Sequence, residues 1–163
     1  MIMRLAIGLA LLLAACATAD EPVAGPEPAE IVAIFDSTGG CAMAGPNCTR
    51  LIVMGDGTVE VQRLLPGGED LVDTASIDSE LVAQLHSIVA VTDLEALLGR
   101  LPEGHCQGCF DGIDTTMTLN GADGPVVFNS VDVELDVSEP VFGAAWAVHE
   151  AARAVVEVPF VAR

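Results

Sequence analysis

The sequence predicts an α+β domain of two layers, in which an antiparallel sheet of about five strands carries two helices packed on one face. Two hairpin signals support the sheet, because each places a glycine-containing turn between two runs of apolar and β-branched residues. Each hairpin precedes a segment whose apolar residues recur at helical spacing. The order strand, hairpin, helix, hairpin, helix buries every apolar face when both helices lie on the same side of the sheet.

The first predicted elements are three strands. The segment EIVAIFDSTGG, from residue 30 onward, begins as an apolar and partly β-branched strand and ends at a Gly-Gly pair. The segment TRLIVMGDGTVEVQRLL predicts a hairpin that turns at residues 55–57, with alternation at Val59 and Val61. A loop, PGGED, follows this hairpin.

A helix is predicted after that loop. Asp78 is placed to cap it, and Glu80 lies in its first turn. Its apolar residues fall on one face, which consists of Leu81, Val82, Leu85, Ile88 and Val89. The segment TDLEALLGRLP adds one or two further helical turns before Gly99 and Pro102 end them. We expect the long helix to pack on the sheet.

The second half repeats this pattern. The segment IDTTMTLNGADGPVVFNS predicts a hairpin whose loop is residues 120–124. Strict alternation in VDVELDV, residues 131–137, predicts a half-buried strand or strand extension. Ser138 is the predicted cap of a last helix, with Pro140 in its first turn. The apolar stripe of that helix is Val141, Ala145, Val148, Ala152 and Val155.

The amino terminus predicts export. Residues 1–15 have one positive charge, an apolar run and then small residues, as in a secretory signal peptide. The sequence Leu13-Ala14-Ala15-Cys16 resembles the lipobox of bacterial lipoproteins, which implies cleavage before Cys16 and lipidation of that cysteine. The alternative is an ordinary signal peptide with a cysteine near its cleavage site. The lipobox resemblance makes the membrane a partner through a lipid anchor, since several acyl chains on one residue anchor a protein stably.

The mature chain is predicted to have two parts. Residues 16–29 are the lipidated cysteine and a flexible tether rich in proline, alanine and glutamate. Residues 30–163 are long enough for one domain with one core. We expect the protein in the bacterial cell envelope. By similarity to Gram-negative lipoproteins, Ala17 after the cysteine implies the outer membrane, with the domain facing the periplasm.

The chain is strongly acidic, with 24 Asp and Glu residues against 6 basic ones, all of them arginine. A surface of that sign repels phosphate groups, so we expect no nucleic-acid partner and no electrostatic adhesion to anionic lipid. The acidity has two interpretations. One is a contribution to solubility or the habit of a salt-adapted or high-GC organism, and the other is a surface matched to a cationic partner.

Four cysteines remain once Cys16 is lipidated, and disulfides are the default for an even number in an oxidising compartment. These predicted disulfide residues are Cys41, Cys48, Cys106 and Cys109. Three pairings are possible and the sequence does not choose among them. Two alternatives use the same sulfurs, a redox dithiol at Cys106 and Cys109, and a zinc site in which His105 could replace one cysteine.

The sequence lacks the parts of common enzymes, so we expect no catalytic residue, no cofactor and no metal. The absence of lysine excludes Schiff-base chemistry and the P-loop, and neither G-x-S-x-G nor H-E-x-x-H occurs. His86 and His149 are predicted at the borders of apolar helix faces. Phe142 and Trp146 are predicted to pack in the core rather than to bind a partner. The carboxylates of residues 132, 134 and 136 are a candidate calcium row or, more simply, a solvated strand face.

Two further segments carry a family resemblance. STGGCAMAG after the first strand and DGIDTTMTL at the start of a later one, together with the element order, resemble emfourin-type small bacterial domains, which inhibit metalloproteases. The resemblance rests on Gly39, Gly40 and Gly45 and implies a protease inhibitor. Cys41 stands where that family has an aromatic residue, and the resemblance assigns no inhibitory residue here.

The sequence therefore predicts a non-enzymatic envelope lipoprotein whose disulfide-stapled domain binds another protein or supports the envelope. An extracytoplasmic thiol-redox or zinc-binding protein that uses Cys106 and Cys109 is the alternative from a different class. A protease inhibitor is the narrower third hypothesis.

Overall fold

The computed structural model describes Gly25, Glu27 and residues 30–39, 48–64, 70–110 and 112–156. Several sequence predictions concern positions outside these residues. They are the signal peptide, Cys16, the tether apart from Gly25 and Glu27, and the loop residues Gly40, Cys41 and Gly45.

Six strands form one antiparallel sheet in the order β4-β3-β2-β1-β5-β6. The strands are β1 (Ile31–Thr38), β2 (Thr49–Met54), β3 (Thr58–Leu64), β4 (Asp70–Ser76), β5 (Asp114–Gly121) and β6 (Gly124–Asn129). The first strand lies in the middle, between β2 and β5. Both predicted hairpins are present, as β2–β3 and β5–β6.

One face of the sheet is buried because side chains alternate along every strand. The strand register aligns two apolar rows across the sheet on this face. One row is Val61, Leu51, Phe35, Met117 and Phe128, and the other is Val59, Val53, Ala33, Leu119 and Val126, and every one of these residues is buried. The residues between them in sequence, such as Ile34, Ile52 and Thr118, face the opposite side and are only partly buried.

Three helices cover the buried face, α1 (Ser79–Val91), α2 (Leu94–Leu98) and α3 (Pro140–Val155). As predicted, α1 begins after Asp78, whose Oδ1 accepts a hydrogen bond from the Glu80 N–H at 2.9 Å. The long helices α1 and α3 pack against each other and contribute Leu85, Val148 and other residues to the core. Phe142 of α3 packs edge-on against Phe128, with ring centroids 5.1 Å apart. The predicted two-layer α+β class is confirmed, with six strands and three helices.

The edge strand β4 was not predicted. It pairs along its length with β3, yet Asp73, Thr74 and Ser76 are exposed. An edge strand of this kind is held by backbone hydrogen bonds to one neighbour, so its sequence does not need the apolar alternation that identifies a half-buried strand.

The predicted strand over residues 131–137 is wrong. Asn129 reverses the chain after β6, because its carbonyl accepts from the N–H groups of Asp132 and Val133 and its side chain accepts from Val131 N–H at 2.9 Å. The following segment makes only an isolated bridge, from Val133 to Glu103. A turn that the Asn129 side chain stabilises therefore overrides the alternation.

The predicted cap of the last helix is also wrong. The N-cap residue of α3 is Glu139, which makes no side-chain capping bond, and Pro140 is the first helical residue. The Ser138 hydroxyl instead bonds the Asp136 carboxylate at 2.7 Å. At the other end of the predicted stripe, Val155 is 45% exposed.

Candidate functional site

An open groove of about 380 Å³ lies at the end of the sheet where β5 begins and β6 ends. Its apolar lining comes from Ile113, Val133, Leu135 and Trp146. Its polar lining comes from the side chains or backbone of His105, Gln107, Thr115, Ser130 and Glu134. The volume is at the lower end of the range for ligand sites, and the mixture of an apolar wall with a few polar groups is typical of such sites.

Sheet and helix together position the base of the groove. Thr115 and Ser130 are held together, because Thr115 N–H donates to Ser130 Oγ at 2.9 Å and Ser130 N–H donates to the Thr115 carbonyl at 2.9 Å. Trp146 on α3 packs against the core on one side and lines the groove on the other. The groove therefore rests on two regular elements, which makes its shape rigid.

Two irregular segments, residues 102–104 and 132–134, form the groove's rim. They pair with each other rather than with the sheet. Gly104 N–H donates to the Asp132 carbonyl at 3.0 Å, and Glu134 N–H donates to the Pro102 carbonyl at 2.9 Å. A Cβ atom at Gly104 would collide with the backbone of residues 130 and 133, so only glycine permits this close approach. The pairing joins the segment before the cysteines to the segment after β6.

The cysteine loop, whose described residues are 106–110 and 112, borders the groove. Cys106 and Cys109 form a disulfide in the structure, with an S–S distance of 2.05 Å. The Asp114 carboxylate accepts from Gln107 N–H at 2.7 Å and from Gly108 N–H at 3.1 Å. These bonds hold the backbone between the two cysteines. Phe110, directly after the second cysteine, is 86% exposed.

Gly39 connects the cysteine loop to the central strand. A Cβ atom at Gly39 would collide with the backbone of Gly112 and Ile113, so the loop packs directly on the end of β1. The glycine that supports the emfourin resemblance in the sequence thus has a local packing role here. Gly40 and Gly45, the other two, lie outside the described residues.

His149 lies directly behind Trp146, and its predicted position at the border of an apolar helix face is wrong, because the side chain is buried. Its imidazole is 1% exposed and lies between two rings, 4.9 Å from Trp146 and 5.1 Å from Phe35 by centroid. Neither ring nitrogen has a hydrogen-bond partner among the described residues. The pKa of His149 is lowered from 6.5 to about 4, mainly by burial and also by the nearby Arg153, while the Glu150 carboxylate opposes the shift. The imidazole is therefore neutral at pH 7.

The charges around the groove are negative. Glu134 lines it, and the exposed Glu103 and Asp132 lie on the two rim segments. None of the four arginines that the structure describes lines the groove. Arg100, on the segment leading to the rim, is bound by the Glu139 carboxylate at 2.9 Å. The groove thus combines an apolar wall with an anionic rim.

The structure brings some of the predicted site residues together and separates others. Cys106, Cys109 and His105 lie in one loop, and Cys48, at the start of β2, also belongs to a disulfide. The carboxylates at 132, 134 and 136 do not form a strand row, since Asp136 instead bonds Ser138 and its pKa is lowered by those bonds. Across the described residues, no group of three or more His, Cys, Asp or Glu side chains is placed to hold a metal ion.

Sequence reasoning missed the groove itself. Its apolar wall comes from residues 113, 133, 135 and 146, which belong to separate segments, and for Trp146 the sequence favoured core packing over partner binding. A possible signal was the repeated glycine around the cysteines, because Gly104, Gly108 and Gly112 all permit close backbone or side-chain approaches. Such contacts indicate a tightly built loop, which is where binding surfaces often lie.

Comparison with known proteins gives no assignment, since no protein-family model matches the chain and no curated protein matches it significantly. In the part of the chain that the structure describes, no helix is both long enough and apolar enough to cross a membrane. The groove and the amino-terminal sequence are therefore the features that bear on function.

Proposed function

We propose that this chain is a non-enzymatic lipoprotein of the bacterial envelope, and that its domain binds a partner protein through the groove and the adjacent cysteine loop. The observation that carries the proposal is the groove, in which Trp146 is accessible beside a loop held by a disulfide and by the Asp114 carboxylate. Rigid aromatic side chains and preformed loops favour binding, because little conformational entropy is lost when a partner docks.

The anchor follows from the lipobox resemblance at residues 13–16 and from the length of the tether. Thirteen residues separate Cys16 from the domain that starts at Glu30. In a proline-containing extended segment they span roughly 40 Å at about 3.1 Å per residue. The groove would then reach partners in the same membrane or close to it.

The anchor is tested by Cys16→Ser in the full-length precursor. We expect the variant to leave the membrane fraction and to lack the mass of the attached acyl chains, because the thiol that carries the first lipid is gone. Thr18→Ser is the matched control and should stay membrane-bound with the mass of the acyl chains retained. Retention of the Cys16→Ser protein in detergent-extractable membranes would contradict lipid anchoring.

The binding surface is tested by photo-crosslinking in intact cells. A benzophenone amino acid is placed at Ile113 in the groove, at Phe110 on the loop tip, or at Val127, which is 52% exposed on the opposite face of the sheet. We expect one discrete protein adduct from the first two positions and none from Val127. Equal adducts from all three positions, or none from any, would exclude a partner site at the groove.

A thiol-redox role is the second candidate, and one observation favours it. Cys109 is exposed and its N–H lies 3.1 Å from Cys106 Sγ, an arrangement that stabilises negative charge on that sulfur after reduction. The Asp114 carboxylate, 3.8 Å from the same sulfur, opposes it by like-charge repulsion. If the pair exchanges disulfides in cells, Cys106→Ser should trap a mixed disulfide at Cys109, whereas a structural disulfide gives none.

A further inference from the structure

We propose that the groove binds a cationic segment of the partner, which inserts one apolar side chain against Trp146 and places basic residues at the anionic rim. This inference rests on the proposed function and names the chemistry of the partner. It is carried by two independent features of the same groove, the composition of its wall and the sign of the charges around it.

The wall selects an apolar side chain. Ile113 is 38% exposed, and the half-buried Leu135 and Trp146 face the same space. Covering these surfaces removes apolar area from water, which contributes roughly 25 cal/mol per Å². The indole of Trp146 packs on His149, which packs in turn on Phe35, so a continuous ring stack supports the surface that Trp146 offers to an aromatic or aliphatic side chain.

The rim selects positive charge. Glu134 lies in the groove, Glu103 and Asp132 lie on the paired rim segments, and no described arginine lines the space to compensate them. Asp114 is already engaged by two backbone N–H groups, whereas no hydrogen bond or ion pair between described residues engages the carboxylates of Glu103, Asp132 and Glu134. An anionic ligand meets repulsion here, and lysine or arginine side chains meet complementary charge.

The groove's polar groups suit an extended segment. Gln107 lines one side of the groove, and Ser130 lines its base beside Thr115. Such groups hydrogen-bond the backbone of a bound peptide, which fixes its direction, while the apolar side chain supplies affinity. A free acyl chain would use the wall alone and would leave these polar groups without partners.

The chain provides its own probe, because Trp146 is its only tryptophan and it has no tyrosine. The experiment titrates the full mature protein with capped pentapeptides that have a central Phe flanked by four Lys, or a central Phe flanked by four Glu. We expect the Lys peptide to shift Trp146 emission with saturation, and the Glu peptide to give no shift. A Lys peptide with a central Ser should bind at least tenfold more weakly.

Two variants and their matched controls locate the effect. Ile113→Ser should weaken binding of the Lys peptide about tenfold, because it removes apolar surface from the groove's wall. Glu134→Gln should weaken binding about threefold at low salt, because it removes one negative charge. Val127→Ser, on the opposite face, and Asp123→Asn, in the β5–β6 turn, remove comparable groups elsewhere and should leave binding unchanged. Circular dichroism of each variant checks that it folds.

The outcomes separate this inference from the proposed function. Equal binding of the Lys and Glu peptides, or equal weakening by the control variants, overturns the cationic-segment proposal. If photo-crosslinking from Ile113 still yields a partner in that case, the binding function stands and only the chemistry of the partner is wrong. If the Lys peptide binds as expected but no adduct forms in cells, the proposed partner-binding function is wrong, while the groove's selectivity for a cationic segment is confirmed.

Discussion

At the scale of single residues, His149 is the most unusual side chain in the core. A buried polar group without a hydrogen bond is destabilising, and both ring nitrogens of His149 are in that position. The neutral imidazole is tolerated because it packs between the rings of Phe35 and Trp146. A proton would place a full charge in the same apolar space, where the Glu150 carboxylate, 3.8 Å from Nδ1, attracts it and Arg153 repels it.

The protein should therefore lose stability as the pH falls from about 6.5 to about 4. In this window the unfolded chain binds a proton at His149, whose pKa returns to its ordinary value of 6.5, while the folded chain, with a pKa of about 4, does not. The free energy of unfolding then falls by up to about 3 kcal/mol, at roughly 1.4 kcal/mol for each unit between the two pKa values. Denaturant unfolding at several pH values measures the slope.

His149→Leu should flatten that slope, because leucine does not titrate. His105→Gln, at an exposed histidine of the groove, is the matched control and should keep the wild-type profile. Asp56 and Asp136 also have lowered pKa values, caused by hydrogen bonds from Thr58 and Ser138, so stability linked to them is lost only below pH 4. An unchanged slope in His149→Leu would refute the assignment.

At the scale of elements, the cysteine loop has more than one constraint. The disulfide closes a short loop, the Asp114 carboxylate binds two of its N–H groups, and the rim segments pair with each other beside it. Gly39 lets the loop pack on the end of β1. All of these constraints act on the loop and none is part of the sheet's strand pairing. Loss of one should therefore loosen the loop and leave the sheet intact.

The double variant Cys106→Ser/Cys109→Ser should lower the free energy of unfolding by about 2 kcal/mol, as the chain-entropy model gives for a loop of about four residues. We expect the backbone amides of residues 107–110 to exchange faster with solvent, while those of β5 and β6 keep their protection. Asp114→Asn is the companion change, since it weakens the charge-assisted hydrogen bonds but keeps the disulfide. Protection of the loop that survives both variants would show that the rim pairing alone orders it.

At the scale of the whole molecule, negative charge greatly exceeds positive charge. The full sequence has a formal net charge of −18. The structure pairs Arg50 with Asp36 at 2.6 Å and Arg100 with Glu139 at 2.9 Å, but most of the other described carboxylates form no ion pair with a described arginine. Mutual repulsion of like charges opposes the compact state, and salt screens it over about 10 Å at 0.1 M.

Raising NaCl from about 20 mM to about 300 mM should therefore raise the Tm by about 3 to 5 °C, which corresponds to roughly 1 kcal/mol for a domain of this size. Thermal unfolding followed by Trp146 fluorescence measures it. KCl at the same concentrations is the control and should act equally, since screening depends on ionic strength. A Tm that falls, or that responds to only one of the two salts, would contradict self-repulsion as the cause.

Local patterns predicted most of the regular elements. The turn at residues 55–57 and the loop at residues 120–124 identified both hairpins, and Asp78 identified the start of α1. These signals succeed because turn geometry, capping bonds and side-chain periodicity depend on residues close in sequence. They failed at β4 and at residues 131–137, where pairing with a distant strand, or the turn at Asn129, outweighs the local pattern.

The sequence by itself determined the α+β class, both hairpins and the capped helix α1. Only the tertiary structure decided that β1 lies at the centre of the sheet, that residues 102–104 pair with residues 132–134, and that His149 is buried behind Trp146. The groove's wall joins Ile113 just before β5, Val133 and Leu135 after β6, and Trp146 of α3, which are far apart in the sequence. The reason is physical, since contacts between distant segments depend on how whole layers pack, which no short stretch of sequence encodes.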